Sequence, residues 1–143
     1  METNDARVLN SVYRGAKTGE SEIETLLPSV ESARFRADLR MQQREYGSIS
    51  SAAASQMYGM GLEPEQVGAL KKAGMKIATG INAAMAGGVS NLAELMIKGS
   101  STGITNMTKV LNNNSPIRPE TSDIAQRLIL TEQQNIERLK TYL

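Results

Sequence analysis

The chain of 143 residues has no cysteine, no histidine and no tryptophan. Without cysteine there is no disulfide framework, thiolate zinc site or cysteine nucleophile. Without histidine the commonest metal ligand and the commonest general base are both missing. Four tyrosines and one phenylalanine are too few for platforms on which bases stack. Charge of one sign is lacking too: 16 Lys and Arg stand against 15 Asp and Glu. That balance gives no electrostatic footprint for nucleic acid or an anionic membrane. No apolar run approaches the roughly 20 residues needed to cross a bilayer, and the polar start METNDARVLN lacks the apolar core of a signal peptide. The expectation is a cytoplasmic protein with neither nucleic acid nor membrane as partner. The length allows one domain over residues 1–143 with a real core.

What the chain does have is helical periodicity. Val8, Leu9, Val12, Ala16, Gly19, Ile23, Leu26 and Leu27 follow i, i+3, i+4 spacing, the mark of one buried stripe. This predicts a first helix from about Asn4 to Leu27, capped by Thr3, Asn4 or Asp5 and ended by Pro28. A second helix, with Ser29 as its cap, carries Phe35, Leu39, Gln42 or Gln43, Tyr46, Ala53, Met57 and Met60, ending near Gly61. The joint at Pro28 is short enough to force an antiparallel hairpin. A third helix is predicted over Pro64 to Ala86, with proline at a favourable first position. The pair Gly87–Gly88 should break or kink it. Asn91 with Glu94 then fits a capping box that opens a fourth helix, Asn91 to Leu111. Its stripe is Leu92, Met96, Ser100, Gly103, Ile104, Met107, Val110 and Leu111. A fifth starts between Pro116 and Pro119 and buries Thr121, Ile124, Leu128, Glu132, Asn135, Ile136, Leu139, Tyr142 and Leu143. No strand-like alternation stands out, so the fold class is all-α.

Polar residues occupy places where a core should be. Glu132 shares a face with Leu128, Ile136 and Leu139, so a carboxylate points into the bundle; burial demands a partner or a protonated state. Asn135 lies on the same face. Gln43 and Tyr46 repeat the i, i+3 geometry on helix 2, Glu20 sits beside the stripe of helix 1, and Ser100 is mid-stripe on helix 4. This layout matches the site plan of di-iron carboxylate bundles, in which two helices give one Glu each and two give Glu-x-x-His pairs. The chemistry does not match: iron favours carboxylate and imidazole, and this set holds two carboxylates and no imidazole. The preferred reading is a hydrogen-bonded polar layer that holds no metal, with a weak divalent site through Glu20 and Glu132 as the alternative. Glu94 reads as a cap or surface residue, the methionines as adaptable core filler. Ser48, Ser50 and Ser51 lack a base to activate them.

Four stretches, VLNSVYRGAKTGESEIETLL, FRADLRMQQREYGSIS, VGALKKAGMKIATGINAAM and NLAELMIKGSSTGITNMTKVL, are similar in order and spacing to the uncharacterised bacterial ferritin-like four-helix-bundle domains. The resemblance implies two antiparallel helical hairpins joined by a crossover helix, here helix 3. That family tends to carry Gly-x-x-His-Arg-x-Trp where this chain has Gly68 to Gly74, and an Arg-Gly-Glu that falls on Lys98-Gly99-Ser100. In this register its His and Trp become Lys71 and Gly74, and its glutamate becomes Ser100. The resemblance therefore implies a degenerate di-metal site with no cofactor. The expected function is non-enzymatic, by oligomerisation or partner binding, with a homodimer formed through the shallow face of helix 3. The competing readings are a metal-binding oxidoreductase or metal-storage protein with a minimal carboxylate site, and a ligand carrier using a Met/Gly-lined cavity.

Overall fold

In a computed structural model, residues 2–64 and 86–143 are described. They form four long helices: α1 (Asn4–Leu26), α2 (Ala33–Gly59), α3 (Gly88–Asn113) and α4 (Pro119–Leu139). Short 3-10 turns follow α1 at Leu27–Ser29 and α4 at Lys140–Tyr142. No strand occurs among the described residues. Most of the third helix expected from the sequence, residues 65–85, lies outside the described residues, and the expected dimer face lies there with it.

The capping residues explain where the helices begin. Thr3 caps α1, its hydroxyl accepting from the Ala6 amide at 3.1 Å. The cap of α2 is Ser32 rather than Ser29, and it accepts from the Phe35 amide at 3.2 Å. The correction has a local cause. Leu27–Ser29 continues turning as a 3-10 helix, and Val30 then adopts an extended conformation and is buried, so the chain is free to restart only at Ser32. α3 begins at Gly88, before the predicted Asn91. The Asn91 side chain instead folds back onto Gly87, where any Cβ would collide with it.

α1 packs antiparallel along α2, and α3 along α4, and the two hairpins face one another across a common core. Phe35, Leu39, Ile49, Leu9, Val12 and Leu139 are among the fully enclosed side chains. α1 and α4 run in parallel: Asp5 meets Thr121, and further along Gly15 faces Leu128. Side-chain ties hold α2 to α4. Arg127 donates to Glu45 at 3.0 Å and to Ser48 at 2.9 Å, while the Tyr142 hydroxyl bonds Asp38 and its ring lies 4.7 Å from that of Phe35.

Asp5 does for α4 what a cap residue does from within. The N-cap position of α4 is Arg118, whose side chain makes no capping bond. Asp5 supplies the missing acceptor from α1, taking the Arg118 amide at 2.9 Å and the Thr121 hydroxyl at 2.6 Å. The Thr121 hydrogen bond, more than the Arg118 charge, holds its carboxyl below the usual value of 3.8. Asp5→Ala is expected to lower stability by about 1 kcal/mol at neutral pH, the typical value of a lost cap. Because the folded pKa is depressed, this contribution is present above about pH 4 and lost as the pH falls through the folded value. Urea denaturation of both proteins at pH 7 and pH 3 checks it: the difference should shrink at pH 3.

Candidate functional site

The polar residues expected at mid-height do not all meet. Tyr46, Ser100, Glu132 and Asn135 come together, all buried. The Tyr46 hydroxyl donates to Glu132 Oε1, Asn135 Nδ2 donates to the Tyr46 oxygen at 3.2 Å, and Ser100, buried on α3, lies beside both groups. Gln43 is turned outward and bonds Glu24 across the α1/α2 seam; its neighbour Gln42 is the buried one. Glu20 lies over Gly47 on the same seam, with Lys17 at 3.6 Å. Neither Glu20 nor Gln43 joins the layer. Glu94 is exposed beside Lys98.

Two glycines make room for the layer. A Cβ on Gly19 would lie 2.7 Å from the Tyr46 ring, and one on Gly103 would lie 2.7 Å from Glu132 Oε2. The phenol and the carboxylate therefore rest against bare backbone of α1 and α3. The lack of side chains at Gly15, Gly19, Gly99 and Gly103 leaves space between α1 and α3 unfilled. Between them runs a cleft of about 540 Å³, with Tyr46, Leu128 and Glu132 along its floor. That volume is in the range of small-molecule sites, roughly 300–1,000 Å³.

Glu22, on α1, lines this cleft as well, and it is the residue that sequence reading missed. Burial pushes its carboxyl up from 4.5 to about 7. Glu132 is pushed up to about 7 chiefly by burial, with the charge of Glu22 adding to the rise and the bonds from Tyr46 and Ser100 opposing it. Burial, followed by the neighbouring Glu132, drives the Tyr46 phenol well above 10, so it is a neutral donor across the physiological range. The cleft thus presents two carboxyl groups raised towards neutrality by burial, Glu132 also feeling the charge of Glu22. Such a pair can accept a cation in place of its protons.

No protein-family model, curated protein or solved structure matches this chain.

Proposed function

We propose that the protein is a non-enzymatic, ferritin-like helical bundle that acts by binding, and that its central layer is a degenerate form of a di-metal site. The observation that carries this reading is the engagement of Glu132. Its carboxyl group is held by Tyr46, and Tyr46 is held in turn by Asn135. A di-iron centre of this architecture draws on four carboxylates and two imidazoles. Here the cleft brings together two carboxylates, Glu22 and Glu132, and among the described residues no group of three or more Asp or Glu is placed to hold a metal ion. Ser50 donates to the Gly47 carbonyl at 3.0 Å and Ser48 accepts from Arg127, so neither of these serines is paired with a base. What the site offers is volume and hydrogen-bonding capacity, the properties of a binding protein.

The competing reading, a metal-dependent oxidoreductase or store, makes an opposite statement about stability. A ligand that binds only the folded state raises its melting temperature by mass action. Melting of protein purified without chelator, then measured with excess Mn²⁺ or Fe²⁺, is expected to show no metal-dependent rise. A rise that disappears in Glu132→Gln would establish the metal site instead.

A further inference from the structure

The walls of the cleft carry free hydrogen-bonding groups. Thr18 of α1 precedes Glu22 by one turn, about 6 Å of rise, and Thr102 of α3 precedes Asn106 by one turn; all four side chains line the cleft. Threonines elsewhere on the same helices are satisfied by their own backbone. Thr25 on α1 donates to the Ser21 carbonyl at 3.0 Å, and on α3 Thr105 donates to the Ser101 carbonyl at 3.0 Å and Thr108 to that of Ile104 at 2.8 Å. The side chains of Thr18, Thr102 and Asn106 have no hydrogen-bond partner among the described residues. The carboxyl groups are open in a second way. Among the described residues no cation is paired with Glu22 or Glu132. Lys109 lies six residues beyond Gly103, about 9 Å of rise away, and Arg14 already has an interaction of its own. Unpaired carboxyls beside unpartnered hydroxyl and amide groups describe a ligand that is both cationic and hydroxylated.

We propose that the cleft binds an amino polyol, a primary ammonium on a hydroxylated chain, with the ammonium between Glu22 and Glu132 and the hydroxyls against Thr18, Thr102 and Asn106. The assignment rests on the binding role proposed above and adds the ligand class to it. An ammonium carries three donors, which two carboxylates can accept, whereas a bare divalent ion takes six or more oxygens. Ligand hydroxyls donate and accept, as do the threonine and asparagine side chains. A plain alkylamine would leave those wall groups without partners, and a neutral polyol would leave the carboxyls without a cation. The ionisable groups that line the cleft are Arg14 and Glu22 on α1, Tyr46 on α2, Lys109 on α3 and Glu132 on α4. The two glutamates are the ones raised to about 7, so binding a cation releases their protons and tightens as the pH rises.

Titration calorimetry on the full chain tests the proposal with three linear six-carbon probes: 1-amino-1-deoxyglucitol, glucitol, which lacks the ammonium, and hexylamine, which lacks the hydroxyls. At pH 8 the amino polyol is expected to bind at least about tenfold more tightly than either of the others. Its affinity should fall at least about tenfold at pH 5.5, where both carboxyls are protonated and the amine is unchanged. Glu22→Gln with Glu132→Gln should reduce the amino polyol to the level of glucitol, with retained helical circular dichroism showing that the variant is folded. Thr18→Val with Thr102→Val keeps the shape of both side chains and removes no bond within the protein. It should weaken the amino polyol and leave hexylamine unweakened. Failure of the amino polyol to bind folded wild-type protein would overturn the ligand assignment. Glucitol or hexylamine binding as tightly would overturn it too, as would full affinity in either double variant. The wider binding role is judged separately, by the metal-dependent melting experiment: a metal-dependent gain there overturns that role whatever the amines do.

Discussion

Glu132→Gln is expected to stabilise the protein at pH 8 and to change its stability little at pH 5. Glutamine keeps the shape of the side chain, can still accept from Tyr46, and removes an ionisable group from a buried position. The sign follows from linkage. In the unfolded chain the carboxyl has its ordinary value near 4.5, and in the folded protein it is raised to about 7. Between those values the folded state holds a proton that the unfolded state has released, so stability is full below pH 4.5 and declines as the pH rises through 7. A rise of that size corresponds to about 3 kcal/mol at most for Glu132, an upper figure because Glu22 shares the same proton equilibrium. Wild-type protein should therefore unfold at lower urea concentration at pH 8 than at pH 5.5, and Glu132→Gln should flatten much of that difference. Asp5 does not confuse the measurement, since its contribution changes below about pH 4. Glu132→Leu should be worse than wild type at pH 5.5, because it leaves the Tyr46 hydroxyl and Asn135 without the acceptor they were arranged around. A wild-type protein equally stable at both pH values would show that the carboxyl is ionised in the fold.

A second large effect is expected at the glycines that border the cleft, with opposite signs at neighbouring turns. Alanine is favoured over glycine within a helix by about 1 kcal/mol, so Gly→Ala stabilises wherever the new methyl has room. At Gly99 nothing lies within reach of an added Cβ, and Gly99→Ala should gain roughly that amount. At Gly15 the methyl would meet Leu128 Cδ2 at 3.3 Å, a contact that a small rotation of leucine relieves, and the net change should be near zero. At Gly19 the methyl would lie 2.7 Å from two carbons of the Tyr46 ring. The ring is rigid and its hydroxyl is tied to Glu132 and Asn135, so it cannot step aside without breaking the layer. Overpacking of this kind typically costs about 1–3 kcal/mol, and Gly19→Ala should fall below wild type by about that much. Thermal melting of the three variants gives the order Gly99→Ala, Gly15→Ala, Gly19→Ala. Stabilisation by Gly19→Ala would mean that the phenol is not packed on α1.

The hairpins were legible because their stripes are long and regular: the apolar positions predicted from Val8 to Leu26 and from Phe35 to Met57 are all buried, and Ile49 is the buried apolar residue in those ranges that the stripes left out. Most of the central layer was legible for the same reason: Tyr46, Ser100, Glu132 and Asn135 are polar residues at apolar stripe positions, and they meet. Periodicity could not choose between Gln42 and Gln43, since both lie three or four residues from Leu39 and from Tyr46. The helix phase buries Gln42 and leaves Gln43 to Glu24. Glu20 was drawn to the layer by its nearness to the α1 stripe, but it lies on the side facing α2, beside Gly47. Glu22 lies on the other side. The signal for it was present in the spacing Gly15, Gly19, Glu22, at i, i+4 and i+7, which places the carboxylate on the glycine face that the cleft occupies. In the structure, the missing side chains there leave the cleft unfilled.

Two carboxyl groups in the cleft between α1 and α3, Glu22 and Glu132, keep their protons up to near neutral pH. Glutamate side-chain carboxyl shifts, followed by ¹³C NMR from pH 4 to pH 9, test this most directly. Two resonances are expected to titrate with midpoints near 7, one missing in Glu22→Gln and the other in Glu132→Gln, with Glu132 shifted to a lower midpoint in Glu22→Gln. Glutamates that all titrate below pH 5 would contradict the protonated pair and the cation-accepting cleft built on it.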